Sequence, residues 1–145
     1  MRIYLDNCCL NRPFDDQTQQ RIYEEANAVV RIQARIASGI LELAWSYVLD
    51  FEIESTPSPE RRDRIQAWDV FAVKDVLASE EIIVFAESLI TKGLRSKDAL
   101  HVPCAVDAGA DLFLTTDDRI LNRAALVPEI RILNPIQLAA TFTKP

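Results

Sequence analysis

Carboxylates are the reactive groups this chain holds in excess. It has 22 Asp+Glu against 16 Lys+Arg, one histidine, three cysteines and three glycines. The scarcities exclude chemistry. A phosphate-cradling loop needs several neighbouring glycines so that backbone can approach the ligand. Gly39, Gly93 and Gly109 stand far apart, which excludes dinucleotide-binding and P-loop chemistry. The single His101 excludes a histidine-rich metal site, and there is no G-x-S-x-G nucleophile elbow. Acid chemistry remains. Carboxylates gathered at one point repel one another, and a hard cation makes such a gathering worth keeping. Magnesium takes oxygen ligands and keeps several waters. Two such ions can activate water and stabilise the leaving oxygen of a phosphodiester.

The elements that would gather these acids are legible from periodicity and punctuation. Ile3–Leu5 reads as a short buried strand stopped by Asp6-Asn7. Cys8–Phe14, with Pro13, reads as a turn, and Gln17–Ala37 as a helix ending before Gly39. Ile40–Trp45 is a second strand. Ser46 caps a helix through Glu54, and Ser58-Pro59 opens another to Trp68. Val70–Leu77 holds a third strand, and Ser79–Lys92 a helix closed by Gly93. Ser96 opens a helix that ends near Gly109, and Leu112–Leu114 is a strand. Asp117–Ala125 reads as helix, Ile130–Leu133 as the last strand and Pro135–Thr141 as the last helix. Strands alternating with helices predict an α/β chain: a parallel sheet covered on both faces.

In open parallel sheets, ligands sit outside the carboxyl ends of the strands. Asp6 ends the first strand, and Asp117-Asp118 follow the fourth. Glu52 lies two turns into the helix after the second strand. Asp98 opens its helix, where the macrodipole favours an anion. Four acids far apart in sequence can thus converge. Each also has a plainer role open to it: Asp98 or Asp117 as a helix cap, Glu52 as a surface charge.

Beyond these placements, a series of short motifs runs in order along the chain. Ile3-Tyr4-Leu5-Asp6 opens it, and Ser46 precedes Glu52 by six residues. Lys97-Asp98-Ala99-Leu100-His101, Leu114-Thr115-Thr116-Asp117 and Ile132-Leu133-Asn134-Pro135 follow. The ordered set resembles the PIN domain family over essentially the whole chain. That resemblance implies a parallel α/β nuclease of four to five strands that uses Mg²⁺ or Mn²⁺ on a cluster of acids. It implies a metal-dependent ribonuclease of the VapC type, the toxin of a toxin–antitoxin pair. Asp6, Glu52, Asp98 and Asp117 match the family's four catalytic, metal-holding acids in turn. Asp118 lies beside the fourth and is an alternative for it. Thr115 matches a hydroxyl residue before that acid, and Ser46 a serine before the second. Asn7, in place of the more usual Thr or Ser, departs from the pattern, as do Cys8-Cys9 and the Asn11-Arg12-Pro13-Phe14 turn.

The length of 145 residues predicts one domain, 1–145, with 49% apolar and 26% charged residues, a globular composition. An odd cysteine count with an adjacent pair is no disulfide framework and predicts a reducing cytoplasm. The start of the chain is too polar for a signal peptide. A net charge of -6 runs against nucleic-acid affinity, which comes from Lys and Arg on phosphates. Bound Mg²⁺ restores positive charge at the site. Arg12, Lys97 and Arg119 are the candidate substrate-binding residues, with Arg95 and Arg123 near them in sequence. Low basicity predicts selective RNA binding. An antitoxin partner and a homodimer follow from the resemblance alone.

Competing readings fit less well. Cys8, Cys9, Cys104 and His101 make a zinc site on paper, but no C-x₂-C pair exists. His101 reads as a packed core histidine or, three residues after Asp98, as a neighbour of the acids. Trp45, Trp68, Phe71 and Phe85 read as core or interface. A receiver domain wants an acidic pair where Asp6-Asn7 stands, and a haloacid-dehalogenase-type phosphatase wants Asp where Cys8 stands. A catalytically inactive PIN-like interaction module is the alternative to a nuclease.

Overall fold

The computed structural model describes residues 1–142. Five strands, β1 (Arg2–Leu5), β2 (Glu42–Ser46), β3 (Ala72–Val76), β4 (Leu112–Leu114) and β5 (Arg131–Leu133), alternate with helices. The helices are α1 (Asn7–Asn11), α2 (Gln20–Ala37), α3 (Tyr47–Glu54), α4 (Pro59–Gln66), α5 (Glu80–Thr91), α6 (Ser96–Asp107), α7 (Asp118–Leu121) and α8 (Pro135–Ala139). Every strand pair is parallel, in the order β3-β2-β1-β4-β5. Crossovers between parallel strands are right-handed as a rule, which assigns the helices between β1, β2 and β3 to one face. The return from β3 to β4 puts α5 and α6 on the other, so the predicted PIN-like layering is present.

Position in the sheet explains the strand sequences. β1 is central, and Ile3, Tyr4 and Leu5 are buried on both faces, as parallel strands require. β3 is an edge strand, and Val73, Lys74 and Asp75 on it are exposed. A lysine on an edge discourages further pairing. Caps set the helix starts. Ser46 Oγ accepts from Leu49 N, Ser58 from Arg61 N and Ser79 from Ile82 N. Asn134 and Gln137 make a reciprocal capping box with Pro135 at the first helical position. Gly93, at φ +98°, supplies the left-handed turn after α5. No helix is long and apolar enough to cross a membrane, among the described residues.

Two local expectations change. Cys8–Phe14 is not a turn but α1 followed by a 3-10 turn over Arg12–Phe14. Asp6 caps α1 by accepting from Asn7 N, Cys9 and Leu10 are buried, and Pro13 sits where a short helix tolerates it. The helix expected over Asp117–Ala125 stops at Leu121 and resumes as a 3-10 turn over Ala124–Leu126.

The strand order matters for the site. The chain leaves β1 toward β2 but later returns to place β4 on β1's other side. The carboxyl ends of β1 and β4 therefore lie together. Leu5 pairs with Leu114, and Asp6 N donates to Leu114 O at 2.9 Å. This is the switch point where open α/β sheets bind ligands.

Candidate metal centre

A cleft of about 720 Å³ opens at that point. Asp6, Glu52, Asp98 and Asp117 all line it, as do Lys97 and Arg95. Asp6 comes off the end of β1 and is nearly buried. Its Oδ1 accepts from Asn7 N at 2.8 Å, and its Oδ2 from Thr115 Oγ at 2.9 Å. Thr115 Oγ also accepts from Asp117 N at 3.1 Å, so one hydroxyl ties the ends of β1 and β4 together. Asp117 Oδ1 caps α7 through Arg119 N at 2.9 Å. Its Oδ2 accepts from Arg95 at 3.0 Å.

Asp98 sits in the first turn of α6 and is buried to 7% exposure. Its partner is Arg95 Nε at 3.3 Å. Arg95 thus stands between Asp98 and Asp117. Burial first, then the charge of Asp6, holds the Asp98 carboxyl above the usual carboxylate range even so; Arg95 offsets part of this and Asp117 adds to it.

Glu52 points from α3 to the same place, and its Oε1 meets His101 Nε2. Burial pushes the Glu52 carboxyl up, but the bond and charge of His101, with Lys97, bring it below its ordinary value. His101 is the converse. Burial works against its charged form, while Glu52 and Asp6 outweigh burial and raise it. His101 Nε2 lies 3.8 Å from Asp6 Oδ1. Donor atoms of Asp6, Glu52 and His101 all fall within 4.8 Å of one another. Clustered carboxylate oxygens are the donor set of a hard divalent cation. Asp98 and Asp117 line the same cleft but fall outside this group of three, each ion-paired to Arg95.

The remaining candidates separate. Asp118 turns away from the cleft and takes both Arg21 guanidinium nitrogens at 2.8 Å. Thr115 is buried and holds Asp6; Ser46 is buried beneath the site. Arg12 lines the cleft, with its guanidinium bonded to Glu25 at 2.9 Å and Asp15 at 3.1 Å. Lys97 lines it with no ion pair among the described residues. Arg119 lines a smaller neighbouring pocket with Arg123. The paper zinc site does not assemble. Cys8 Sγ lies beside Asp6 at 3.4 Å, Cys9 Sγ donates to Leu114 O, and burial pushes the Cys104 thiol up to about 12.

Some residues escaped the sequence reading. His101 belongs to the acid cluster, a place its spacing from Asp98 on α6 had left open. Glu25 is fully buried on α2 and accepts from Arg12, Arg21 and Asn134. Arg61 of α4 bonds Asn11 Oδ1 at 3.0 Å and pairs with Asp15 on the cleft wall. An i,i+4 spacing of Arg21 and Glu25 was the one local signal; nothing in sequence announces Arg61.

No protein-family model and no curated protein matches the chain. Solved structures do match. A chain of VapBC2 from Rickettsia felis, bound to a DNA fragment from their promoter, superposes with a TM-score of 0.58. The two share 12% identity over 92% of this chain and 98% of that one. A chain of VapBC-1 from nontypeable Haemophilus influenzae gives 0.57 at 12% identity, over 93% and 98%. At such identity the likeness speaks for the backbone and not for individual side chains. The chain therefore has the PIN-like α/β fold that its ordered motifs predicted, shared with these VapBC chains nearly end to end.

Proposed function

We propose that the chain is a divalent-cation-dependent ribonuclease, the toxin of a toxin–antitoxin pair. One observation carries the reading: four acids from four separate segments line a single cleft at the switch point of the sheet. In this reading Asp6, Glu52, Asp98 and Asp117 hold Mg²⁺ or Mn²⁺. When bound, such an ion lowers the pKa of a water and offsets charge on the leaving oxygen of a phosphodiester.

The chain's own residues do the rest. Thr115 orients Asp6, and the cap on α7 orients Asp117. Lys97 faces the phosphate backbone across the cleft, and Arg12 and Arg61 form the wall beyond Asn11. Arg95 neutralises Asp98 and Asp117 until the cation arrives. The likeness to chains of VapBC complexes and the PIN resemblance support an antitoxin partner. A homodimer rests on the resemblance alone, and a cytoplasmic setting on the cysteine usage.

The purified protein is expected to cut single-stranded or structured RNA with Mn²⁺ or Mg²⁺, and EDTA stops it. Asp6→Asn loses at least about 100-fold in rate, as expected when one group of a preorganised charged site is removed. Expressed in a bacterial host, the wild type slows growth and Asp6→Asn relieves this. Cleavage at full rate in excess chelator overturns the nuclease reading. A wild type that cuts RNA yet is harmless at high expression overturns the toxin reading alone.

A further inference from the structure

Three polar side chains stand in a row inside the core. Ser46 on β2, Tyr4 on β1 and His101 on α6 are each essentially fully buried. Burying a hydroxyl or an imidazole is unfavourable unless its hydrogen bonds are made. Here they are made in sequence. Leu49 N donates to Ser46 Oγ at 3.2 Å. Ser46 Oγ lies 2.6 Å from Tyr4 Oη, and Tyr4 Oη 2.6 Å from His101 Nδ1. His101 Nε2 then meets Glu52 Oε1 in the cleft.

The Glu52 end fixes the direction of the last bond. A backbone amide donates, and an ionised carboxylate accepts. His101 Nε2 must therefore carry its hydrogen toward Glu52. Nε2 donates to Glu52 whether the imidazole is neutral, when Nδ1 accepts from Tyr4 and Tyr4 from Ser46, or protonated, when Nδ1 donates to Tyr4 and Tyr4 to Ser46. Successive bonds of this kind polarise one another. The Tyr4 ring is held by Phe113, stacked at 5.4 Å between centroids, so its hydroxyl has little freedom to move.

We propose that Ser46, Tyr4 and His101 are positioning residues for Glu52: the row makes His101 the donor that holds Oε1, leaving Oε2 and the Asp6 carboxylate to face the cation. This rests on the metal-site reading above and assigns His101 a role distinct from direct ligation, the other use of an imidazole among carboxylates. Asn7 Nδ2 lies 3.5 Å from Oε2, too far to compete strongly for it. A glutamate held at one oxygen loses less rotational freedom when the other takes a ligand. Partners behind metal ligands are typically worth 10–100-fold in affinity.

The test measures Mn²⁺ affinity calorimetrically, nitrogen coupling to bound Mn²⁺ by pulsed electron paramagnetic resonance, and melting in EDTA. Wild type should bind Mn²⁺ with no directly bonded imidazole nitrogen. Tyr4→Phe should weaken binding about tenfold, and His101→Leu by about 10–100-fold. His101→Gln keeps an amide donor for Glu52 and should recover most of the loss. Should Tyr4→Phe fail to fold, Ser46→Ala is read on the same scale. A purely structural row lowers the melting temperature in EDTA and leaves the affinity of folded variants unchanged, and that result overturns the proposal. So does a directly bonded nitrogen. A wild type that binds no Mn²⁺ overturns the underlying metal-site reading as well.

Discussion

Asp98 is the residue at which a metal ligand and a structural carboxylate part company. It opens α6, where an aspartate commonly caps, but it accepts no backbone N–H among the described residues, and its hydrogen bond comes from Arg95. Burial and the neighbouring Asp6 disfavour its charged form. Asp98→Asn keeps the shape and removes that charge. In EDTA the variant should melt at or above the wild-type temperature, by up to about 3 °C. Mn²⁺ should then stabilise wild type more than the variant. Calorimetric melts with and without Mn²⁺ decide it. A variant several degrees lower in EDTA, beside a wild type indifferent to Mn²⁺, makes Asp98 structural. Asp117 differs from Asp98 in doing both jobs, one oxygen on the cap of α7 and the other on Arg95.

At the scale of elements, the buried carboxylate of Glu25 joins pieces that the sheet leaves separate. Arg12 reaches it from the 3-10 turn after α1, Arg21 from one turn earlier on α2, and Asn134 from the cap of α8 at 2.6 Å. Arg21 continues to Asp118 at the start of α7. The cleft's rim is thus tied across the molecule by alternating charges. Removing Glu25 takes away three hydrogen bonds, but Arg12 keeps Asp15 and Arg21 keeps Asp118, so the loss is about 1–3 kcal/mol. Glu25→Ala should lose that much in urea denaturation. Asp118→Asn, at the exposed end of the chain of charges, should shift the midpoint little. Comparable small losses for both would show that the charges act independently. Glu25 escaped the sequence reading because Arg12, Arg21 and Asn134 come from segments up to 122 positions apart, and no local pattern joins them.

The whole molecule responds to the cation if the reading is right. A ligand that binds the folded state alone stabilises it by about 2.7 kcal/mol at 100 times its dissociation constant. Mn²⁺ should therefore raise the melting temperature of the intact chain by several degrees, and excess EDTA should return it to the starting value. Na⁺ at matched ionic strength controls for screening of the net charge of -6. An equal rise with Na⁺ would mean that relief of overall repulsion, and not a site, is being measured.

The linear order of residues determined the elements, because what starts and stops them is local. Ser46, Ser79 and Asn134 cap helices within three residues of themselves, and apolar runs such as Ile3–Leu5 mark buried strands wherever they lie. It also determined that Asp6 and Asp117 follow strands, which in a parallel sheet puts them at its carboxyl end. The exception, Cys8–Phe14, misled because a proline beside polar residues reads as a turn, while the Asp6 cap and two buried side chains make a helix of it. Tertiary structure decided the rest. Adjacent residues at a helix start project about 100° apart, so the path of the chain from β4 into α7 chose Asp117 for the cleft and sent Asp118 to Arg21. The crossing of β1, β2 and α6 laid Tyr4, Ser46 and His101 in a row. Such meetings depend on which faces of distant segments are pressed together, and burial of the apolar surface, which sets those faces, is a property of the whole fold.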